Sequence, residues 1–341
     1  MVMKIKLAYF GTPDFSARFL EKLLTDVSIN QLIDAKLVVT QPDRPVGRKQ
    51  ILTPSPVKLM ANKYGIRVYD GEIRNWKLVP SEVEGLEIRN FDLALLFAFG
   101  EIIPKQLLSL PKHGFFNIHP SLLPKYRGAS PIAYPLILGD KKTGVTIIKM
   151  DEKLDHGSII AQEELPILPT DRRPDLEIKL TDLGFALFKK TVFNKDSLQI
   201  KPQNHQQATY TRLLKKSDGF IPFEVLKKAL KNQIGAQFSP KIIADYKQKN
   251  PNSLITNYEL PITIFNLFRG LHPWPGLWTL IEPARLNKMT PRKNRVGLMK
   301  KRLKIIDLDL VENKLIIKKV QLEGKKEVDF QTFNRNYQLF Q

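Results

Sequence analysis

The sequence predicts an α/β protein: a doubly wound, mainly parallel sheet first, then a small β-barrel domain. Two observations carry the first part. Short apolar runs alternate with helical patterns through the first half, which is the signature of βαβ units. Asp92–Phe97 is almost wholly apolar, as a central strand covered on both faces must be. A third observation carries the barrel. Beyond Lys201 the texture changes to β-like runs separated by turns, at Arg302–Leu308, Lys314–Val320 and Glu327–Phe330.

The elements follow in order. Lys4–Phe10 reads as the first strand. Thr12-Pro13-Asp14 then starts a helix, with Thr as cap, Pro in the first turn and an acid at the positive dipole end. Phe15, Phe19, Leu20 and Leu23 continue it at helical spacing. Ala35–Thr40, Ile66–Tyr69, Gly114–Ile118 and Gly144–Met150 are further strands, and Pro56–Tyr64 and Asp175–Thr191 are helices. The polar run from Lys201 to Gln207 reads as a linker, giving a first domain over 1–199, a linker over 200–208 and a second domain over 209–341. Phe223–Gln233 is the clearest helix of the second domain.

Composition narrows the chemistry. The chain has 341 residues, 43% of them hydrophobic, enough for two cores. No apolar run reaches the ~18 residues that a membrane span needs. The opening Met1–Gly11 is too short for a secretory signal, which points to the cytoplasm. With no cysteine there are no disulfides, thiol nucleophiles or cysteine-bound zinc. His113, His119 and His156 lack helical i,i+4 spacing, so no metal site is expected. The net charge of +20 favours a polyanionic partner. From Thr209 onward there are 25 basic and 11 acidic residues, so +14 of that excess lies in the last part of the chain.

One segment concentrates reactive side chains: Phe115-Phe-Asn-Ile-His-Pro-Ser-Leu-Leu-Pro-Lys-Tyr-Arg-Gly128. Asn117 and His119 are two apart at a strand end, so both side chains share a face. Ligands of open α/β sheets bind outside the carboxyl ends of strands. A second segment, Met150-Asp-Glu-Lys-Leu-Asp-His-Gly-Ser158, follows the Gly144–Met150 strand and offers Asp155 in a tight turn. An amide, an imidazole and a carboxylate suit acyl transfer to an amine. The amide and a protonated imidazole donate to the developing oxyanion, and the carboxylate assists proton removal. Gly11-Thr-Pro-Asp14 lacks the Gly-x-Gly-x-x-Gly fingerprint, so no nicotinamide cofactor is expected.

Phe10-Gly-Thr-Pro-Asp-Phe15, Asn117-Ile-His119, Ser121-Leu-Leu-Pro-x-x-Arg-Gly128, Gly144-Val-Thr-Ile147 and Asp151-x-x-x-Asp155-x-Gly157 occur in one order. Together they resemble the folate-dependent formyltransferase family. The resemblance implies a Rossmann-like domain with an oligonucleotide-binding-type barrel behind it. It implies a catalytic set falling on Asn117, His119 and Asp155, and 10-formyltetrahydrofolate as co-substrate without metal. The pterin would lie against Leu95, Phe97, Phe99 and Gly100 and near Asp151, mostly through backbone, with Ser121, Leu122, Leu123 and Pro124 beside it. Where relatives often carry Thr, this chain has His156, which puts a second imidazole near the site.

The segment Thr40–Lys58 resembles the loop by which the branch acting on initiator methionyl-tRNA enters the acceptor stem. Arg44, Arg48 and Lys49 suit contacts with phosphates and base edges, and the resemblance maps the wedge at the stem end onto Arg48. Arg127 is also expected among the tRNA contacts. Ala208–Gly219, Pro273–Gly276 and Val320–Lys326 resemble the same branch's second domain. There Arg292, Lys293, Arg295, Lys300, Lys301, Arg302 and Lys304 form a basic stripe for phosphates. Trp274 and Trp278 read as core or interface residues rather than base-stacking ones. The family implies a monomer.

Overall fold

The computed structural model describes residues 3–47, 49–71, 73, 88–194, 199–232, 238–253, 259–282 and 300–340. It contains two compact units. The first comprises Met1–Pro131, Lys142–Pro166 and Leu176–Thr211; the second comprises Ile132–Lys141, Ile167–Asp175 and Arg212–Gln341.

The chain opens with β1 (Ile5–Gly11), α1 (Asp14–Thr25) and β2 (Ile33–Val39). A small hairpin follows, β3 (Arg44–Val46) and β4 (Ile51–Thr53), then α2 (Pro56–Lys63) and β5 (Arg67–Tyr69). Next come β6 (Leu93–Phe97), α3 (Lys105–Leu108), β7 (Phe115–His119), the two-residue β8 (Arg127–Gly128) and α4 (Ala133–Leu138). β9 (Lys142–Lys149), β10 (Ser158–Pro166), α5 (Arg173–Phe193) and β11 (Tyr210–Thr211) complete this part. The central sheet runs β10-β9-β7-β6-β1-β2-β5. The five strands from β7 to β5 are parallel, whereas β9 is antiparallel to β7 and β10 to β9.

Both faces of this sheet are covered, which is why its central strands carry no polar alternation. Ala8, Phe10, Leu37, Val39, Ala94, Leu96 and Phe115 pack on one side with Phe99, Ile103 and Leu107. On the other side Phe19 of α1 lies against Tyr9, Phe97, and Phe185 and Phe188 of α5, with ring centroids 5.4 to 6.1 Å apart. Rings at such spacing add to the area they bury.

Two local readings change. Thr12 does not cap α1: Pro13 occupies the N-cap, and the Thr12 hydroxyl donates instead to the Phe99 carbonyl at 2.7 Å. The carboxyl-end reasoning also fails for Asp155. Because β9 is antiparallel, Lys149 at its end lies opposite Phe116, while Thr146 lies opposite His119. The turn after β9 must therefore come back along β7. Apolar alternation reports which face a residue uses, not which way a strand runs.

The second unit contains α6 (Phe223–Leu230), α7 (Lys241–Lys249) and α8 (Leu260–Leu271). Its antiparallel sheet has the order β12 (Leu277–Ile281), β13 (Lys301–Val311), β14 (Lys314–Leu322), β15 (Glu327–Asp329), and α9 (Phe330–Tyr337) follows. Leu303, Ile305, Leu308, Val320 and Leu322 are buried, as are Ile264, Leu267, Phe268 and Leu271 of α8. Alternation along β13 and β14 is the expected signal of a sheet with one buried face. α8 also meets α4, where Gly270 allows close approach: a Cβ there would sit 2.5 Å from Ile137 Cγ1. Buried Arg269 donates to the carbonyls of Asp171 and Leu168 at 2.7 Å each.

Candidate active site

Asn117 and His119 lie at the end of β7 and are 6% and 3% exposed. The strand's period of two puts them on one face, as the sequence predicts. Asp155 approaches both. Asn117 Nδ2 donates to Asp155 Oδ1 at 3.2 Å, and His119 Nδ1 lies 3.6 Å from the same oxygen. The other carboxylate oxygen accepts the Gly128 N–H at 2.6 Å. A short, charge-assisted bond of this kind is among the stronger ones a carboxylate makes.

The backbone is shaped to permit this. Asp155 has φ of 47°, the left-handed region that costs a non-glycine residue on the order of 1 kcal/mol or more. Gly128 has φ of 105°, and a Cβ there would meet the Thr211 carbonyl at 2.6 Å. Only glycine fits, because β8 pairs closely with β11. His119 Nε2 is 3.1 Å from the Tyr126 carbonyl. A carbonyl only accepts, so Nε2 carries the proton and Nδ1 is the nitrogen presented to Asp155.

Behind the acid, His156 Nδ1 bonds Asp151 Oδ2 at 2.6 Å, and the His156 ring stacks on His205 at 3.8 Å. His205 Nδ1 lies 2.9 Å from Arg127 Nη2 and is its acceptor. Loss of water around the stacked ring, then the charges of His156 and Arg127, hold the His205 imidazole below its ordinary value.

Of the residues expected at the folate, Leu95, Phe97 and Phe99 have buried side chains, so they can offer main chain only. Ala98 and Gly100 have φ of 54° and 89°, which curls this segment away from the sheet. The Phe97 carbonyl already accepts from Ser16 Oγ at 2.8 Å. Ser121 is fully buried and donates to the Lys125 carbonyl, so its hydroxyl is committed within the loop. Leu123 is buried and Leu122 and Pro124 are half-buried.

Of the residues expected at tRNA, Arg44 and Lys49 are exposed on the β3–β4 hairpin. That hairpin pairs Arg44 with Thr53 and Val46 with Ile51, and its base is fastened. Lys58 Nζ bonds Asp43 at 2.8 Å and Asp70 at 2.6 Å, and these bonds raise its pKa. Arg48, Arg292, Lys293 and Arg295 lie outside the described residues. Lys300 and Lys304 are exposed and Lys301 is half-buried, while the Arg302 guanidinium lies 5.1 Å over the Trp278 ring. Trp278 also meets the Phe220 ring at a tilt, 4.8 Å between centroids, and donates to the Lys216 carbonyl, in keeping with a packing role; Trp274 is exposed.

Arg127 is a correction. It is 1% exposed, and its guanidinium is spent on Gln203 Oε1, Tyr210 and His205 inside the first unit. It does not offer a surface to tRNA. Nothing local in the sequence signals the pocket that receives it. The partners Gln203, His205 and Thr209 come from the stretch read as linker or its border, which bonds to the site's own loops.

The formyl transferase family profile matches residues 3–192. Over 98% of this chain and 97% of the relative, the sequence is 33% identical to a methionyl-tRNA formyltransferase of Caldicellulosiruptor saccharolyticus. A methionyl-tRNA formyltransferase of Halalkalibacterium halodurans is 40% identical over 81% of this chain and 74% of its own length. The chain belongs to the formyl transferase family. Its fold is also that of an N-formyltransferase from Helicobacter canadensis, solved in complex with folinic acid and dTDP-3-aminofucose. That structure has a TM-score of 0.53, 19% identity, and coverage of 95% of this chain and 98% of its own. Among the described residues, no group of His, Asp and Glu side chains could hold a metal ion, and no helix is long and apolar enough to cross a membrane.

Proposed function

We propose that this chain transfers the formyl group of 10-formyltetrahydrofolate to the amino group of initiator methionyl-tRNA, as a cytoplasmic monomer. The observation that carries the reading is the convergence of Asn117, His119 and Asp155 in a chain similar along its whole length to methionyl-tRNA formyltransferases. The Helicobacter canadensis structure, solved with folinic acid, and the formyl transferase family itself support a folate co-substrate.

The folate supplies an activated formyl carbon; the chain's residues do the rest. Leu95–Gly100 and Leu122–Pro124 hold the flat ring by main chain and apolar contact. Asn117 spends one amide hydrogen on Asp155 and keeps the other for the formyl oxygen. His119, with Nε2–H fixed on Tyr126, binds a second proton at Nδ1, where it supports the same developing charge. Asp155 Oδ1 touches both groups, so a proton leaving the attacking amine has a short path to it. One C–N bond forms, the formyl–nitrogen bond of the carrier breaks, and the proton lost by the amine balances the one the carrier gains. Arg44, Arg48 and Lys49, with the basic residues near Lys301, take the phosphates of the tRNA.

Transfer of labelled formyl from the folate donor, with methionyl-tRNA and free methionine compared as acceptors, tests the reading. Label is expected on methionyl-tRNA and not on methionine. No transfer from folded protein removes it.

A further inference from the structure

We propose that Gln203 is a positioning residue for the proposed acid, closing a ring of bonds that holds the Asp155 turn in its left-handed conformation. This rests on the function proposed above and adds a residue outside the triad to it.

Gln203 is 5% exposed and uses both polar atoms of its side chain. Its Nε2 donates to the Asp155 carbonyl at 2.9 Å and to the Gly157 carbonyl at 2.7 Å, one hydrogen each. Its Oε1 accepts from Arg127 Nη2 at 2.6 Å and Nε at 3.2 Å. The amide orientation is forced: turned over, it would set oxygen against two carbonyls and N–H against a guanidinium.

The ring closes through the backbone. Arg127 is followed directly by Gly128, whose N–H holds the Asp155 carboxylate. Starting from the Asp155 carbonyl, the path runs through Gln203, the Arg127 side chain, the Arg127–Gly128 backbone and back to the Asp155 side chain. The strained residue is thus gripped at its carbonyl and at its carboxylate by two ends of one bracket. Gly157 must lack a side chain, because a Cβ there would collide with the Lys149 carbonyl, so the turn has little room to relax sideways. Among the described residues no ion pair neutralises Arg127. Gln203 therefore serves two masters: a buried cation that wants an acceptor and a turn that wants two donors.

This split separates positioning from support of the fold. In Gln203→Glu the carboxylate pairs better with Arg127 but faces two carbonyls with no hydrogen to give. The gain at Arg127 and the repulsion at the two carbonyls oppose each other, so the fold should hold, with Tm within about 5 °C of wild type. In the same variant, kcat for formyl transfer should fall about 30-fold or more, the scale of a misplacement near 1 Å, with KM for tRNA and folate little changed. Amide exchange at Gly128 should quicken by about tenfold, as the carboxylate loosens. Gln203→Met, which keeps the volume and loses all four bonds, should lower kcat per folded molecule to a similar degree. Unchanged kcat and unchanged Gly128 exchange in Gln203→Glu overturn the proposal. So does a loss of rate that tracks only a loss of folded protein. If wild type transfers no formyl to methionyl-tRNA, the proposed function falls, and the Gly128 exchange comparison still decides the bracket: quickened exchange keeps it and unchanged exchange removes it.

Discussion

The turn that carries Asp155 and the β3–β4 hairpin belong to the same unit and are built on opposite lines. At the acid, both carboxylate oxygens and the carbonyl are engaged and the side chain is 9% exposed. In the hairpin, all six strand residues are exposed, including Val46, Ile51 and Leu52, and no ion pair engages Arg44 or Lys49 among the described residues. Among the described residues, the hairpin is fixed where it leaves the body, by Lys58 and by the hydroxyl pair Thr40–Ser55 at 2.6 Å. Chemistry gains from groups that are already aimed, because no reorganisation is then needed as charge develops. Recognition of a long anion gains from cations left available, which release counterions when they bind.

The comparison can be broken by substitutions on either side. The largest effect is expected at the turn. Asp155→Asn and His119→Ala should each lower kcat by about 100-fold or more, near 3 kcal/mol of barrier, with folate binding kept. Single-turnover rates measure this, and near-normal rates in both would refute the assigned roles. On the hairpin, Arg44→Ala with Lys49→Ala should raise KM for tRNA about tenfold and flatten the salt dependence by roughly one unit of slope per lost phosphate contact. Folate affinity, read by fluorescence titration, should stay put; an equal fall in both affinities would erase the contrast.

Cutting the hairpin's fastening should matter less. Lys58→Met leaves Asp43 and Asp70 facing each other without their cation, so tRNA affinity should drop a few-fold with only a small fall in Tm. The smallest effect concerns pH. His205 is held below its ordinary value of 6.5, so the unfolded chain takes protons that the folded one refuses. Its contribution is present above about pH 6.5 and is lost as pH falls below that. Melting curves between pH 5 and 7.5 should show a shallow decline that His205→Gln flattens.

Much of this was legible in residue patterns, for physical reasons. β6 announces itself because both its faces are covered. The shared face of Asn117 and His119 follows from the strand period alone. Three features were not legible. β10 is a partly exposed strand with Gln162, Glu163 and Glu164 in it, so it carries no apolar run. The β3–β4 pairing hides behind Pro45 and Gly47, which read as loop. Gln203 and Arg127 defeat pattern reading altogether. An amide in a polar stretch and an arginine after a loop look solvated, and only the fold shows that they meet inside.

The direction of β9 also sets how long the segment after it must be. Since that strand ends beside the start of β7, the path from Met150 to Gly157 acts as a measured tether that returns Asp155 to Asn117. Its length, and not only its composition, is under constraint. One codon gained or lost in this stretch would leave Asn117 and His119 in place and set the acid out of register.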